Sequence, residues 1–127
     1  MSWQAYVDDQ LVRTGHLQYG AIIGAADGRA WALSNGFRLT ADEGAAIVAL
    51  FKNPADVFAM GVTVAGVKYM GIKADDRSIY GKKGATGVAL AKTAQTIVIG
   101  YYNEKGGPGN AAMTVEKLAD YLIQNSY

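Results

Sequence analysis

The apolar positions of the first dozen residues recur at helical spacing: Trp3, Tyr6, Val7 and Leu11 share one side, with Ser2 before them and Gly15 after. That pattern predicts a short amphipathic helix over residues 3–14, capped by the Ser2 hydroxyl and stopped by Gly15. The pattern then changes. Ala21-Ile22-Ile23 and Ala30-Trp31-Ala32-Leu33 flank Ala26-Asp27-Gly28-Arg29, and Asp-Gly between apolar runs signals an antiparallel hairpin. Thr40-Ala41-Asp42-Glu43 has the form of a capping box and leads into Ala45 to Phe51, a second helix. A shorter helix is expected after Asn53-Pro54.

From Gly61 onward, strand-length runs alternate with turns. Val62–Val64, Val67–Ala74, Ser78–Tyr80, Gly87–Ala91 and Thr96–Tyr102 are separated by segments too short to hold crossover helices. Parallel pairing needs a connection of about a dozen residues or more, so these strands are expected to form an antiparallel meander. Gly106-Gly107-Pro108-Gly109 ends the sheet region. A last helix from about 110 to 124 then carries Val115, Leu118, Ala119, Leu122 and Ile123 on one stripe. One α+β domain over residues 1–127 follows, with helices contributed by both ends of the chain.

Composition narrows the function. Half of the 127 residues are hydrophobic, 18% are charged and cysteine is absent, which describes a globule without disulfides or thiolate ligands and suits the reducing cytosol. The first residues lack the basic and apolar regions of a signal peptide, and no apolar run approaches the roughly 20 residues of a membrane-spanning helix. A cytoplasmic protein is expected. With His16 as its one histidine, the chain lacks the common zinc ligand sets, and His16 has no serine or carboxylate spacing that would mark a triad. Asp8-Asp9 and Asp75-Asp76 are sequence neighbours, which do not share a face of a helix or strand. No enzymatic activity, metal or cofactor is expected.

The net charge of +1 is unevenly placed: residues 1–60 carry four basic and six acidic side chains, residues 61–127 eight and five. Gly81-Lys82-Lys83-Gly84-Ala85-Thr86-Gly87 lacks the order of a phosphate loop. It is either a plain basic turn or a patch for a carboxylate-rich protein or a phosphoinositide headgroup. No nucleic-acid motif accompanies the basic excess, so no nucleic-acid partner is expected. A monomer is the default expectation.

Aromatic placement is more informative. Trp3 and Tyr6 stand at one end, Tyr121 and Tyr127 at the other, and Trp31 lies on an early strand. If the terminal helices pack side by side, these rings converge into a surface suited to polyproline II segments: flat rings stack on pyrrolidines, and OH and NH groups meet exposed carbonyls. Alternatively the rings fill a helix–sheet interface. Spacing alone leaves both readings open.

Ser2-Trp3-Gln4-Ala5-Tyr6-Val7-Asp8, the stretch from Lys73 to Gly84, Tyr102-Asn103-Glu104-Lys105 and Val115 to Leu122 together closely resemble profilins, especially those of amoeboid and other protist lineages, nearly end to end. The resemblance implies a central antiparallel sheet with both terminal helices on one face and smaller helices on the other. It implies a proline-rich-ligand groove of Trp3, Tyr6, Trp31, Tyr121, Leu122 and Tyr127; position 121 is histidine in animal profilins, and tyrosine keeps the flat ring. It implies an actin face of Lys68, Lys73, Lys82, Lys83, Asn110, Met113 and Lys117, with Tyr69 and Met70 bulkier or more apolar than many counterparts. Arg77, Lys82, Lys83 and Lys117 become phosphoinositide contacts, so that lipid and actin compete. The implied partners are monomeric actin, proline-rich assembly factors of the formin type and phosphoinositide membranes. The implied actions are regulated filament assembly and faster nucleotide exchange on actin, at the cytoskeleton and peripherally at membranes. The alternative is a proline-recognition module with little actin affinity.

Overall fold

The computed structural model describes residues 2–127. A first helix α1 (Trp3–Ala5) continues through a π-helical stretch (Tyr6–Leu11) and a 3-10 turn (Val12–Thr14). There follow β1 (Tyr19–Gly24), β2 (Ala30–Leu33), α2 (Ala41–Lys52), α3 (Asp56–Met60), β3 (Val62–Val64), β4 (Val67–Ala74), β5 (Ser78–Lys83), β6 (Thr86–Lys92), β7 (Thr96–Tyr102) and α4 (Pro108–Gln124). The N-terminal helix has its expected extent, with Ser2 Oγ accepting the Ala5 N–H at 3.1 Å and Gly15 closing it at φ 82°. Its winding departs from expectation because α and π turns both place residues four apart on nearly the same side, so periodicity cannot tell them apart.

The capping box of α2 is complete. Thr40 Oγ1 accepts the Glu43 N–H, and Glu43 Oε1 accepts the Thr40 N–H, both at 3.1 Å. The other Glu43 oxygen accepts the Gly66 N–H at 2.6 Å, so the cap also ties α2 to the β3–β4 turn. Helix α4 begins at Pro108, about two residues before the expected start, because Gly107 serves as N-cap and proline suits the first turn.

The seven strands form one sheet in the order β2-β1-β7-β6-β5-β4-β3, every adjacent pair antiparallel. The expected meander is present from β3 to β7. The pairing of β1 with β7, with Ala21 opposite Ile99 and Ile23 opposite Ile97, joins the early hairpin to it. Alternation sends Ala21, Ile23, Val88, Leu90, Ile97 and Ile99 into one core layer with Ile47 and Phe51 of α2 and Val57 of α3. Ile22, Ala89, Ala91 and Val98 point the other way, into a layer with Val7, Leu11, Val115, Leu118 and Leu122 from the terminal helices. Both faces of the central strands are covered, which explains why β1 and β7 are apolar at consecutive positions.

Small residues set the depth at which the helices sit. A Cβ on Gly100 would lie 2.7 Å from both Leu17 and Val115 side chains, so α4 rests directly on β7. On the other face Gly28, at φ 77° in the β1–β2 turn, meets Gly44 of α2 backbone to backbone, and a side chain at either would collide with the other.

Candidate functional site

Where α1, β2 and the end of α4 meet, five aromatic rings form one cluster centred on Trp3. Its ring centroid lies 5.1 Å from Trp31, 5.1 Å from Tyr127 and 5.5 Å from Tyr6, and Tyr6 lies 5.9 Å from Tyr121. Tilted and edge-on contacts of this kind suit aromatic quadrupoles and lock the rings relative to one another. Trp31 is 40% exposed, Tyr121 48% and Tyr127 37%, whereas Tyr6 is buried beneath them. Leu122, expected on the groove surface, is fully buried in the core under α4. The correction has a helical cause: next to Tyr121 in sequence, it is turned about 100° from it and faces the sheet.

Local chemistry places each ring. The Gln4 side-chain amide donates to the Leu33 carbonyl at 2.8 Å, which pins α1 to β2 and sets Trp3 beside Trp31. Trp31 lies over the end of β1 because Gly24 has no side chain; a Cβ there would stand 2.9 Å from the indole nitrogen. Tyr127 is tied down by its backbone carbonyl, which accepts the Gln95 N–H at 2.6 Å and the buried Thr93 hydroxyl at 3.0 Å. Gly24 and Thr93 are site residues that the sequence reading missed. Burial pushes the Tyr6 hydroxyl above its ordinary pKa, and the Tyr121 and Tyr127 phenols act in the same direction.

The basic residues divide. Met70 pairs with Lys82 and Lys73 with Tyr80, and Lys68 shares the face of Met70, so Lys68, Lys73 and Lys82 fall on the terminal-helix side of β4 and β5. Helix α4 packs over β6 and β7 and leaves this part open. Met70 and Ile72, 70% and 52% exposed, give it an apolar component; Tyr69 is buried on the opposite face. The Lys73 ammonium sits 5.2 Å from the Tyr80 ring centroid. Lys83 is exposed at the hairpin tip beside Gly84.

Arg77, expected to contact lipid headgroups, is half-exposed and already paired with α4. Its guanidinium donates to Asp120 at 2.9 Å and to Glu116 at 3.1 Å, and the hydrogen bond to Asp120, foremost, holds its pKa above the ordinary value. Ser78 Oγ and the Tyr80 hydroxyl donate to the other Glu116 oxygen. Burial first, then this hydrogen bond, raises the Tyr80 pKa strongly. The charge of Arg77 is spent on fastening α4 to β5.

Asn110, Met113 and Lys117 do not join the β4–β5 patch. They line a cleft of about 450 Å³ between α4 and the N-terminal helix, with Tyr6, Gln10 and Tyr121 among the other walls. His16 also lines it and is exposed. The adjacent aspartates are accounted for locally: Asp8 accepts from Gln4, Asp9 pairs with Arg13, and Asp75 accepts the Arg77 and Ser78 N–H groups, which hold its pKa below the ordinary value.

Fold and surface describe a small α+β domain of the recognition kind. It bears an exposed aromatic cluster and a separate basic, partly apolar sheet face, and among the described residues no three His, Asp or Glu side chains are grouped to hold a metal ion. The family model described as Profilin matches residues 1–127. Profilin-P of Physarum polycephalum is 68% identical over 127 residues, and Profilin-1 of Dictyostelium discoideum 60% identical over 127 residues, each match spanning the whole of both chains. The crystal structure of Acanthamoeba castellanii profilin II, 52% identical, superposes with a TM-score of 0.96 over 99% of this chain and 100% of that one. The chain belongs to the profilin family.

Proposed function

We propose that this profilin binds proline-rich segments on its aromatic cluster and monomeric actin on its β4–β5 face. The observation that carries the reading is the convergence of Trp3, Trp31, Tyr121 and Tyr127, from opposite ends of the chain, into one partly exposed surface. Rings of this kind offer stacking walls to a polyproline II helix, whose preformed backbone loses little entropy on docking. Lys68, Lys73 and Lys82 around Met70 and Ile72 form a face suited to an acidic partner with an apolar centre, while Asn110, Met113 and Lys117 stand apart from it on α4 and are proposed as a second contact area for actin. Because the two surfaces are separate, one molecule can carry an actin monomer while a proline-rich assembly factor holds it near a growing filament. Tethering of that kind raises the effective concentration of actin there. The action belongs in the cytoplasm, at the actin cytoskeleton.

Lys82 and Lys83 on the exposed hairpin, with Lys117, support a weaker, salt-dependent attraction to phosphoinositide headgroups, to which Arg77, already paired with Glu116 and Asp120, contributes less. Co-sedimentation with phosphoinositide vesicles, with and without actin, checks it: competition supports a shared basic area, and simultaneous binding removes it.

The principal test is titration with an oligoproline peptide followed by tryptophan fluorescence and calorimetry, on the wild type and on Trp3→Ala and Tyr121→Ala. A saturable signal weakened in both folded variants supports the groove, and an actin-monomer titration follows. Absence of heat and fluorescence change returns the rings to a packing role.

A further inference from the structure

The cleft between the N-terminal helix and α4 is continuous with the aromatic cluster, because Tyr6 and Tyr121 belong to both. Beyond those rings polar side chains join a largely apolar lining, with Gln10 on one wall and Asn110, Met113 and Lys117 on the other. The charges around it are unequal in their commitments. Asp9 is paired with Arg13, Glu116 and Asp120 with Arg77, and Asp8 accepts from Gln4. Lys117 is exposed and takes part in no ion pair among the described residues. Lys117 and His16 are the basic side chains among those lining the cleft, and no carboxylate is among them.

We propose that this cleft extends the proline groove into a second subsite, which selects proline-rich segments carrying a flanking carboxylate and seats that carboxylate at Lys117. The inference rests on the proline-binding reading above and adds a sequence preference to it; a carboxylate seated at Lys117 competes with the actin contact proposed for that residue, whereas a plain proline segment on the rings does not. Helical geometry supplies the register. Lys117 precedes Tyr121 by one turn, about 6 Å along α4, and Asn110 precedes it by about 16 Å. A polyproline II chain advances about 3.1 Å per residue, so a segment leaving the rings along α4 passes Lys117 about two residues beyond the last stacked proline. It leaves the cleft after about five. An acidic residue at about two is therefore favoured and one at about seven is not.

The test uses an oligoproline of about eight residues with a single Gly and then Asp or Asn beyond the prolines (Gly-Asp or Gly-Asn at the C-terminal end, Asp-Gly or Asn-Gly at the N-terminal end), with no actin or lipid present, titrated calorimetrically into the wild type, Lys117→Ala and Lys117→Glu. For one of the two ends the Asp peptide binds wild type about two- to fivefold more tightly than its Asn counterpart, as expected for a partly exposed pair, and the margin shrinks in high salt. Lys117→Ala abolishes the margin and Lys117→Glu reverses it, while both variants keep wild-type affinity for the Asn peptide. Moving Asp to about seven residues from the last proline also abolishes it. Equal binding of Asp and Asn peptides to wild type, with plain oligoproline binding intact, overturns the subsite and leaves the aromatic groove standing. A margin that survives Lys117→Ala overturns the assignment to Lys117. If no peptide binds, the groove itself fails and the subsite with it.

Discussion

Trp31 owes its position to an absence. Gly24→Ala places a methyl 2.9 Å from the indole nitrogen and 3.0 Å from an Asp27 oxygen, both at the ends of side chains that can move, so the expected result is a displaced ring in a folded protein. Oligoproline affinity should fall about threefold or more while the urea midpoint changes little, the cost of a shifted exposed ring being under ~1 kcal/mol. Thr93 works from the other side of the cluster. Its hydroxyl is buried and bonds the Tyr127 carbonyl, the Thr96 hydroxyl at 2.6 Å and the Thr96 N–H at 3.0 Å. Thr93→Val keeps the shape and removes these bonds, with an expected loss of about 1–3 kcal/mol in urea unfolding because the buried partners go unpaired. Faster hydrogen exchange of the Gln95 amide would report the freeing of Tyr127.

Among the elements, α4 has the greatest responsibility, since it supplies Tyr121 to the rings and Lys117 to the cleft. Its apolar stripe rests on β6 and β7, where Ala89, Ala91 and Gly100 keep the surface low. Sideways placement is governed by Glu116, which accepts from Arg77, Ser78 and Tyr80 of the β5 region. Glu116→Gln replaces one acceptor oxygen by a donor facing donors. It should cost about 1–3 kcal/mol of stability, read as a lower urea midpoint at unchanged slope. Oligoproline binding by the folded variant should weaken as well, through the shift of Tyr121. A purely local effect would leave affinity untouched.

For the molecule as a whole, burial of phenols sets an alkaline limit. Tyr69 is pushed up to about 12 by burial, with Tyr101 contributing, and Tyr80 and Tyr102 are also raised, each chiefly by burial. A raised pKa means that the neutral form is favoured by folding. That stability is fully present below the ordinary tyrosine value near 10 and is lost as pH rises through the folded values. Urea midpoints should thus hold steady to about pH 9 and fall above about pH 10; a flat profile to pH 12 would show that these phenols ionise without unfolding. Asp75 works at the acid end with the opposite sign: its lowered pKa gives stability above the ordinary aspartate range that is lost as pH falls through the folded value.

What the chain determined by itself was whatever depends on near neighbours. The capping box at Thr40 and Glu43, the Asp-Gly hairpin, the short turns that force an antiparallel meander and the stripe of α4 are local signals, and each appears in the fold. The aromatic residues were legible as a set because four of the five, Trp3, Tyr6, Tyr121 and Tyr127, sit at the two ends of the chain. Their convergence required the pairing of β1 with β7 and the seating of both terminal helices on one face, contacts between residues far apart in sequence. The same long-range placement took Leu122 into the core and engaged the half-exposed Arg77 in ion pairs with α4, and revealed Gly24 and Thr93 as supports. Only the tertiary structure decided these, because burial and charge pairing depend on what other elements bring to a residue, and local periodicity carries no record of that partner.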